Sequence, residues 1–449
     1  MAVTKKPVNI SSALKVATCT LLSSTSINTH ASEEDRDKYL DSAFLYYSEK
    51  DRVTVYEPVV SYRKYLQFDE FIDYKLTLDA MTGASPNGAS PTDTIQTFTG
   101  SSGSAGYTVP ANETPKRNFQ DTRVALNVTT QTPLTNITSR STGYALSAEQ
   151  DYASAGYNSS FSKDYNNKLT TLTAGGGINL DLVFPTGGAP KALTNVNAPS
   201  TGGGGGGEGE DGGEGGEGGD GFNPEFKGTV DVLFGVTQVV NRYTLMQLNY
   251  SHEFIRGYLT DPYKVVSVID SSGYPAPTDP ADLSLGGIYL TEKRPDSRDT
   301  NSIYWKTVLN VFGDVLRLSY RYYWDDWGIR SNTVDVKYRF EFAGKYFIQP
   351  HYRRYDQTAA DFYRHSLLNT DAVPSHVSAD FRLAKFTGHT VGIKMGAALS
   401  KSSSFDFRVE KYIQEGDAHP SDAIGIQKKF DLFPKLETTI YQISYSKYF

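Results

Sequence analysis

The chain has 449 residues, a formal charge of −7, 38% hydrophobic residues and 13% aromatic residues, 31 of them Tyr. No stretch approaches the roughly 18 continuous apolar residues of a membrane helix, so any crossing of a bilayer must use strands, whose alternation leaves little hydropathy signal. An acidic balance without a basic run argues against nucleic acid as a partner.

Residues 1–31 read as a signal peptide. Lys5, Lys6 and Lys15 give a basic start, Val16 to Leu22 a short apolar core, and Thr29-His30-Ala31 a cleavage site before Ser32. The Ser and Thr content also suits an organelle transit peptide. Cys19 is the only cysteine and lies in this leader, so a mature chain has no disulfide, thiolate nucleophile or cysteine metal site.

Residues 32–449 carry repeated period-two alternation, the mark of strands with one apolar face. Seventeen candidate strands follow in order: 43–48, 52–62, 71–81, 122–130, 137–146, 152–162, 168–180, 229–239, 243–254, 300–311, 315–324, 331–342, 346–355, 377–383, 389–399, 405–412 and 440–449. Tight turns alternate with long connections at 84–118, 182–226, 258–298 and 357–376. From a periplasmic start, the first three of these fall on the external side, as expected of an outer-membrane barrel. Seventeen is odd and bacterial single-chain barrels are even. Either 413–436 hides a strand or one candidate is false; about 16 strands are expected, within 14–18.

The fold class expected is all-β, a closed antiparallel transmembrane barrel, since a sheet crossing lipid must pair every backbone group. A secreted soluble sheet protein with wet outer faces is the alternative. It leaves unexplained the strand lengths and the last strand ending on Phe449, the aromatic terminus expected of a chain handed to the barrel-insertion machinery. Tyr322, Trp324, Trp327, Tyr448 and Phe449 suit aromatic girdles.

Opposite the apolar faces, Arg317 and Arg321, then Asp335, Lys337, Arg339 and Glu341, then Asp406, Arg408 and Glu410 are expected to face the lumen. They would line a wet channel or pair off and close it. Asp261, Arg294, Arg298, Asp325 and Asp326 fall at the external rim, where Arg294 and Arg298 are expected to pair with Asp325 and Asp326 and tie loops together. A binding rim for an external ligand or lipoprotein is the other reading. Residues 202–221 form a Gly-rich acidic insert with Glu208, Glu210, Asp211, Glu214, Glu217 and Asp220. Such a segment builds no core and reads as a solvated spacer, with weak collective calcium binding as the functional alternative. The seven histidines form no metal-ligand spacing, and no nucleophile elbow, Walker loop or dinucleotide fingerprint appears. The reading is therefore non-enzymatic, without a cofactor.

The stretches Leu78-Asp79-Ala80-Met81-Thr82-Gly83-Ala84-Ser85-Pro86, Tyr258-Leu259-Thr260-Asp261-Pro262-Tyr263-Lys264-Val265-Val266 and Tyr320-Arg321-Tyr322-Tyr323-Trp324-Asp325-Asp326-Trp327-Gly328-Ile329 resemble a bacterial outer-membrane family, domain of unknown function 3570. The resemblance covers most of the mature chain and implies an outer-membrane barrel in a Gram-negative cell. It implies no catalytic residues. By gene neighbourhood it implies a setting with a small lipoprotein or a periplasmic redox protein. The acidic glycine insert is no known part of it. The expected function is a channel for small solutes or ions in outer-membrane lipid, with a non-conducting scaffold for an envelope partner as the alternative.

Overall fold

The computed structural model describes residues 38–67, 70–98, 107–186, 188–198, 224–281 and 286–449. The leader and the acidic glycine insert lie outside the described residues. Sixteen strands close into one antiparallel barrel. They are β1 (Lys38–Glu49), β2 (Val53–Gln67), β3 (Glu70–Pro86), β4 (Lys116–Thr135), β5 (Thr138–Ala148), β6 (Tyr152–Tyr165), β7 (Thr170–Val183) and β8 (Glu225–Asn241). The second half is β9 (Thr244–Gly257), β10 (Ser297–Val311), β11 (Asp314–Asp325), β12 (Arg330–Phe342), β13 (Tyr346–Gln357), β14 (Phe386–Ala398), β15 (Ser403–Gly416) and β16 (Leu436–Tyr448). Each pairs with its neighbour in sequence. β16 returns to β1 in a register running from Tyr39 opposite Tyr448 to Glu49 opposite Thr438, which closes the ring.

The false candidate is 377–383. Val377 is fully buried among loops, and Phe381–Leu383 is a single 3₁₀ turn capped by Asp380. Residues 413–436 hide no further strand; β15 ends at Gly416 and 417–435 form a fifth long connection. With the even count, all five long connections (87–115, 184–224, 258–296, 358–385 and 417–435) leave from one rim. The other rim has only turns of two to four residues. Among these, Phe312-Gly313 has both residues at positive φ, 54° and 102°, the geometry a two-residue hairpin needs to match strand twist. The rim with long loops is external and the rim with tight turns periplasmic.

Alternation is kept across the registers. Leu316, Leu318 and Tyr320 of β11 stand beside Tyr338, Val336 and Val334 of β12, all outward. Leu180 at 66% and Val391 at 60% exposure have no protein over them, so lipid must cover this face. Tyr322 stacks on Trp324 at 5.3 Å near the external end, and Phe342 stacks on Phe340 and Tyr346 near the periplasmic end, giving two aromatic belts. Trp327 is not in them. The β11–β12 turn folds it inward, 4% exposed, against Phe362, with its indole N–H donating to the Ser297 carbonyl at 2.8 Å. Tyr448 is on the lumenal face, against Tyr39. The backbone N–H of Phe449 donates to the Lys38 carbonyl and extends the closing seam by one bond.

Candidate functional site

The described parts of the five long loops fold together into a cap. Its centre is Val265–Ile269, every residue buried, antiparallel to Tyr289–Thr291 and parallel to Leu367–Leu368. The loop after β7 adds to the edge through hydrogen bonds of Leu193, Thr194 and Val196 with Tyr289 and Thr291. Gln427, from the last loop, donates to Ser90 and Ser366 at 3.1 Å each. Ala89, Phe98, Val109, Val265 and Tyr289 form one apolar cluster, and Trp327, Ile329, Ala360, Phe362 and Leu383 another.

Under this layer lie three cations and three carboxylates. Arg294 meets Glu292 at 2.6 Å and Asp380 at 2.9 Å; Arg382 meets Asp380 at 2.5 Å and Asp261 at 2.7 Å. Lys264 donates to the Pro86 carbonyl at the end of β3, and Ser378 donates to Glu292. Burial pushes the Asp380 carboxyl up, but Arg382, Lys264 and Arg294 outweigh it and hold it well below the usual range. Burial pushes Glu292 up despite Arg294, and pushes the Lys264 ammonium down.

The cap crosses the mouth. Asp151, between β5 and β6, accepts from the Tyr263 hydroxyl at 2.8 Å. Two residues earlier, Asp261 accepts from Arg382, whose carbonyl accepts from Gln357 at the end of β13. β5 and β13 are eight strands apart in a ring of sixteen, hence opposite each other.

Asp261 and Arg294, expected at an exposed rim, are therefore buried at 6% each and present nothing outward. Arg294 does not pair with Asp325 or Asp326. Arg298 reaches Asp325 at 2.6 Å and covers the Trp327 ring at 4.4 Å, while Asp326 accepts from the Asp299 backbone at 3.0 Å. Lys264, Glu292, Asp380 and Arg382 carried no sequence signal beyond the two-residue spacing of Glu292 with Arg294 and of Asp380 with Arg382.

Below the cap the lumen has two unlike walls. Most inward positions of β5 to β7 are small and uncharged, among them Gly143, Gly156, Asn158, Ser160, Gly175, Gly177 and Asn179, with Asp164 and Asp181 as the charged exceptions near the two ends. The inward positions of β10 to β15 are charged: Lys306, Arg317, Arg321, Asp335, Lys337, Arg339, Glu341, Arg353, Lys394, Asp406, Arg408 and Glu410, with His351. His351 sits 2.8 Å from Asp335 and 2.7 Å from Glu410, one carboxylate at each ring nitrogen. Donating to both takes a doubly protonated ring. Glu410 reaches it across β14 because Gly392 stands between the two in register; a Cβ there would meet the Glu410 side chain and lie 2.8 Å from the Val409 carbonyl.

Asp335 also takes Arg353 at 2.8 Å and Lys337 at 3.6 Å; Lys394 pairs with Asp406 at 3.0 Å, Arg408 with Glu410 at 3.6 Å and Arg339 with Glu341 at 2.8 Å. Among the described residues Arg317 and Arg321 form no ion pair within 4 Å and donate hydrogen bonds to neutral groups, Gln349 and Ser302. Cations outnumber carboxylates on this wall. Nevertheless the Arg353 side chain, mid-strand and inward, remains 49% exposed, so open volume lies in front of it. Sixteen strands enclose a bore wider than side chains fill.

The family model described as "Protein of unknown function (DUF3570)" matches residues 11–447. The chain belongs to that family. With its closed, lipid-faced ring, this DUF3570 barrel is a protein of the Gram-negative outer membrane. No curated protein matches it. Among solved structures it is similar to the CymD monoaromatic hydrocarbon channel (8% identity, 92% of this chain and 89% of that one, TM-score 0.38). It is also similar to Pseudomonas aeruginosa OccK2 (OpdF) in complex with glucuronate (9%, 92% and 98%, 0.38) and to the Pseudomonas putida toluene transporter TodX (8%, 93% and 90%, 0.37). Similarity this low says nothing about solute. Among the described residues no group of three His, Cys, Asp or Glu side chains could hold a metal ion.

Proposed function

We propose that the protein is a gated channel for small anionic solutes. The observation that carries this is the half-exposed Arg353 inside a closed ring whose charged wall has more cations than carboxylates. An open bore with a positive wall raises local anion concentration and lowers the barrier to anion passage. The folded cap sets when the bore is open. Purified protein in planar bilayers is expected to open rarely, with reversal potentials in a salt gradient that favour anions. Arg317→Ala with Arg321→Ala lowers that preference. Silence of wild type and of cap-breaking variants alike, with heat-modifiable folding intact, overturns the channel.

The cap that spans the mouth favours a second reading: a non-conducting scaffold whose periplasmic side holds a small lipoprotein or redox protein. Co-purification of a defined periplasmic partner together with that silence decides for it.

A further inference from the structure

Four cations gather near the periplasmic end of the charged wall. Arg317 of β11 stands directly opposite Lys337 of β12, and Arg339 is two residues further along the same face. On the other side, Val308 of β10 is opposite Arg317, which makes Lys306 its diagonal neighbour. Direct partners on one face are about 5 Å apart at Cβ and diagonal ones about 7–8 Å. Lys337 and Arg339 have carboxylates, Asp335 and Glu341. Lys306 and Arg317 have no carboxylate within ion-pair distance among the described residues, Asp335 acting on Lys306 only from further away; Arg317 donates to the neutral Gln349 amide at 3.1 Å. Like charges in direct register destabilise a sheet. A wall that keeps two such cations without a directly paired carboxylate has an electrostatic hole fitted to an anion.

We infer that this end of the lumen is a binding station for a small multivalent oxyanion, held by Lys306 and Arg317 with Gln349 as a neutral hydrogen-bonding neighbour. The inference deepens the channel reading and rests on its water-filled bore. Arg317 is three residues from the start of β11, and Arg339 is three residues from the end of β12, so the station opens toward the periplasm below the cap. Arg317 offers a planar fork suited to two oxygens of a carboxylate or phosphate, and Lys306 a point charge. The affinity expected is weak, on the order of 1 mM, because a station in a conduction path must also release its occupant.

The test is calorimetric titration of inorganic phosphate and, separately, succinate into the folded full chain in detergent at low salt. Saturable one-site binding is expected, weakening as NaCl is added. Phosphate alone marks a tetrahedral oxyanion, succinate alone a dicarboxylate, and both together a site that reads charge. Lys306→Gln with Arg317→Gln is expected to weaken binding at least tenfold; Arg63→Gln, which removes a cation paired with Asp73 at 3.1 Å, is expected to leave it unchanged. The double variant relieves repulsion and is expected to keep heat-modifiable folding; the single Arg317→Gln repeats the measurement with one cation left. Absence of saturable binding of both anions to wild type, or undiminished affinity in these variants, overturns the station. Bilayer silence with titration intact overturns the channel and leaves the station standing.

Discussion

Replacing Asp380 with Asn tests whether the buried charges hold the cap shut. The substitution keeps the side chain's shape and one acceptor oxygen but leaves Lys264, Arg294 and Arg382 facing only Asp261 and Glu292. Asp380 is fully buried and Arg294 is 4% exposed, so water does not replace the lost charge at that contact. Removing one partner of a buried ion pair costs about 3–5 kcal/mol. Arg382 is 29% exposed and regains some hydration, which favours the lower end. At about 1.4 kcal/mol per factor of ten, the population of open cap rises roughly a hundredfold. Limited proteolysis of the external loops reads that population when opening and closing outpace cleavage, and single-channel open probability reads it independently. Both are expected to rise, and Asp380→Asn with Arg294→Met, which rebalances two cations against two carboxylates, is expected to recover most of the loss. Unchanged cleavage and open probability in a correctly folded Asp380→Asn barrel would refute the claim that these charges are the latch.

Three further outcomes follow from the same geometry. The folded-state carboxyl of Asp380 lies below its ordinary value of 3.8, so its stabilisation is complete above about pH 4 and is lost as pH falls further. Glu292, raised in the fold, acts with the opposite sign, its contribution being present below the ordinary carboxylate range and lost as pH rises through its folded value; acceleration of loop proteolysis on acidification below about pH 4 is therefore expected from Asp380 and not from Glu292. Glu149, in the β5–β6 turn, is pushed up to about 8 by burial and then by the bond and charge of Asp121 and the charge of Asp151. The folded chain thus holds a proton that the unfolded one has lost above 4.5, and stability falls with pH across that window. Glu149→Gln is expected to show a melting advantage over wild type that grows from pH 5 to 8 and then levels; a pH-independent difference would contradict it. Gly392→Val places a branched side chain in the path of Glu410 and is expected to destabilise the barrel by about 1–3 kcal/mol in urea refolding into lipid. An unshifted urea midpoint would show that the bridge to His351 does not depend on that gap.

Residues such as Leu316, Leu318 and Tyr320, alternating with Arg317, Ser319 and Arg321, determined by themselves that this chain builds strands with a greasy and a wet face. Period two is a local property, and neighbours one and two residues apart suffice to express it. Loop lengths placed the external rim for the same local reason. The one false strand, 377–383, shows the limit: its apolar residues are buried against other loops, and periodicity cannot tell a lipid-facing residue from one under a cap. Asp380 and Arg382 meet Asp261 and Arg294 across separations of 86 to 121 residues, and Glu410 meets His351 across 59. Those meetings depend on ring closure and strand register, which put distant segments side by side. Whether an inward charge is neutralised or left bare, as at Asp335 and Arg317, was decided only there, because it depends on what the neighbouring strand presents at the same height.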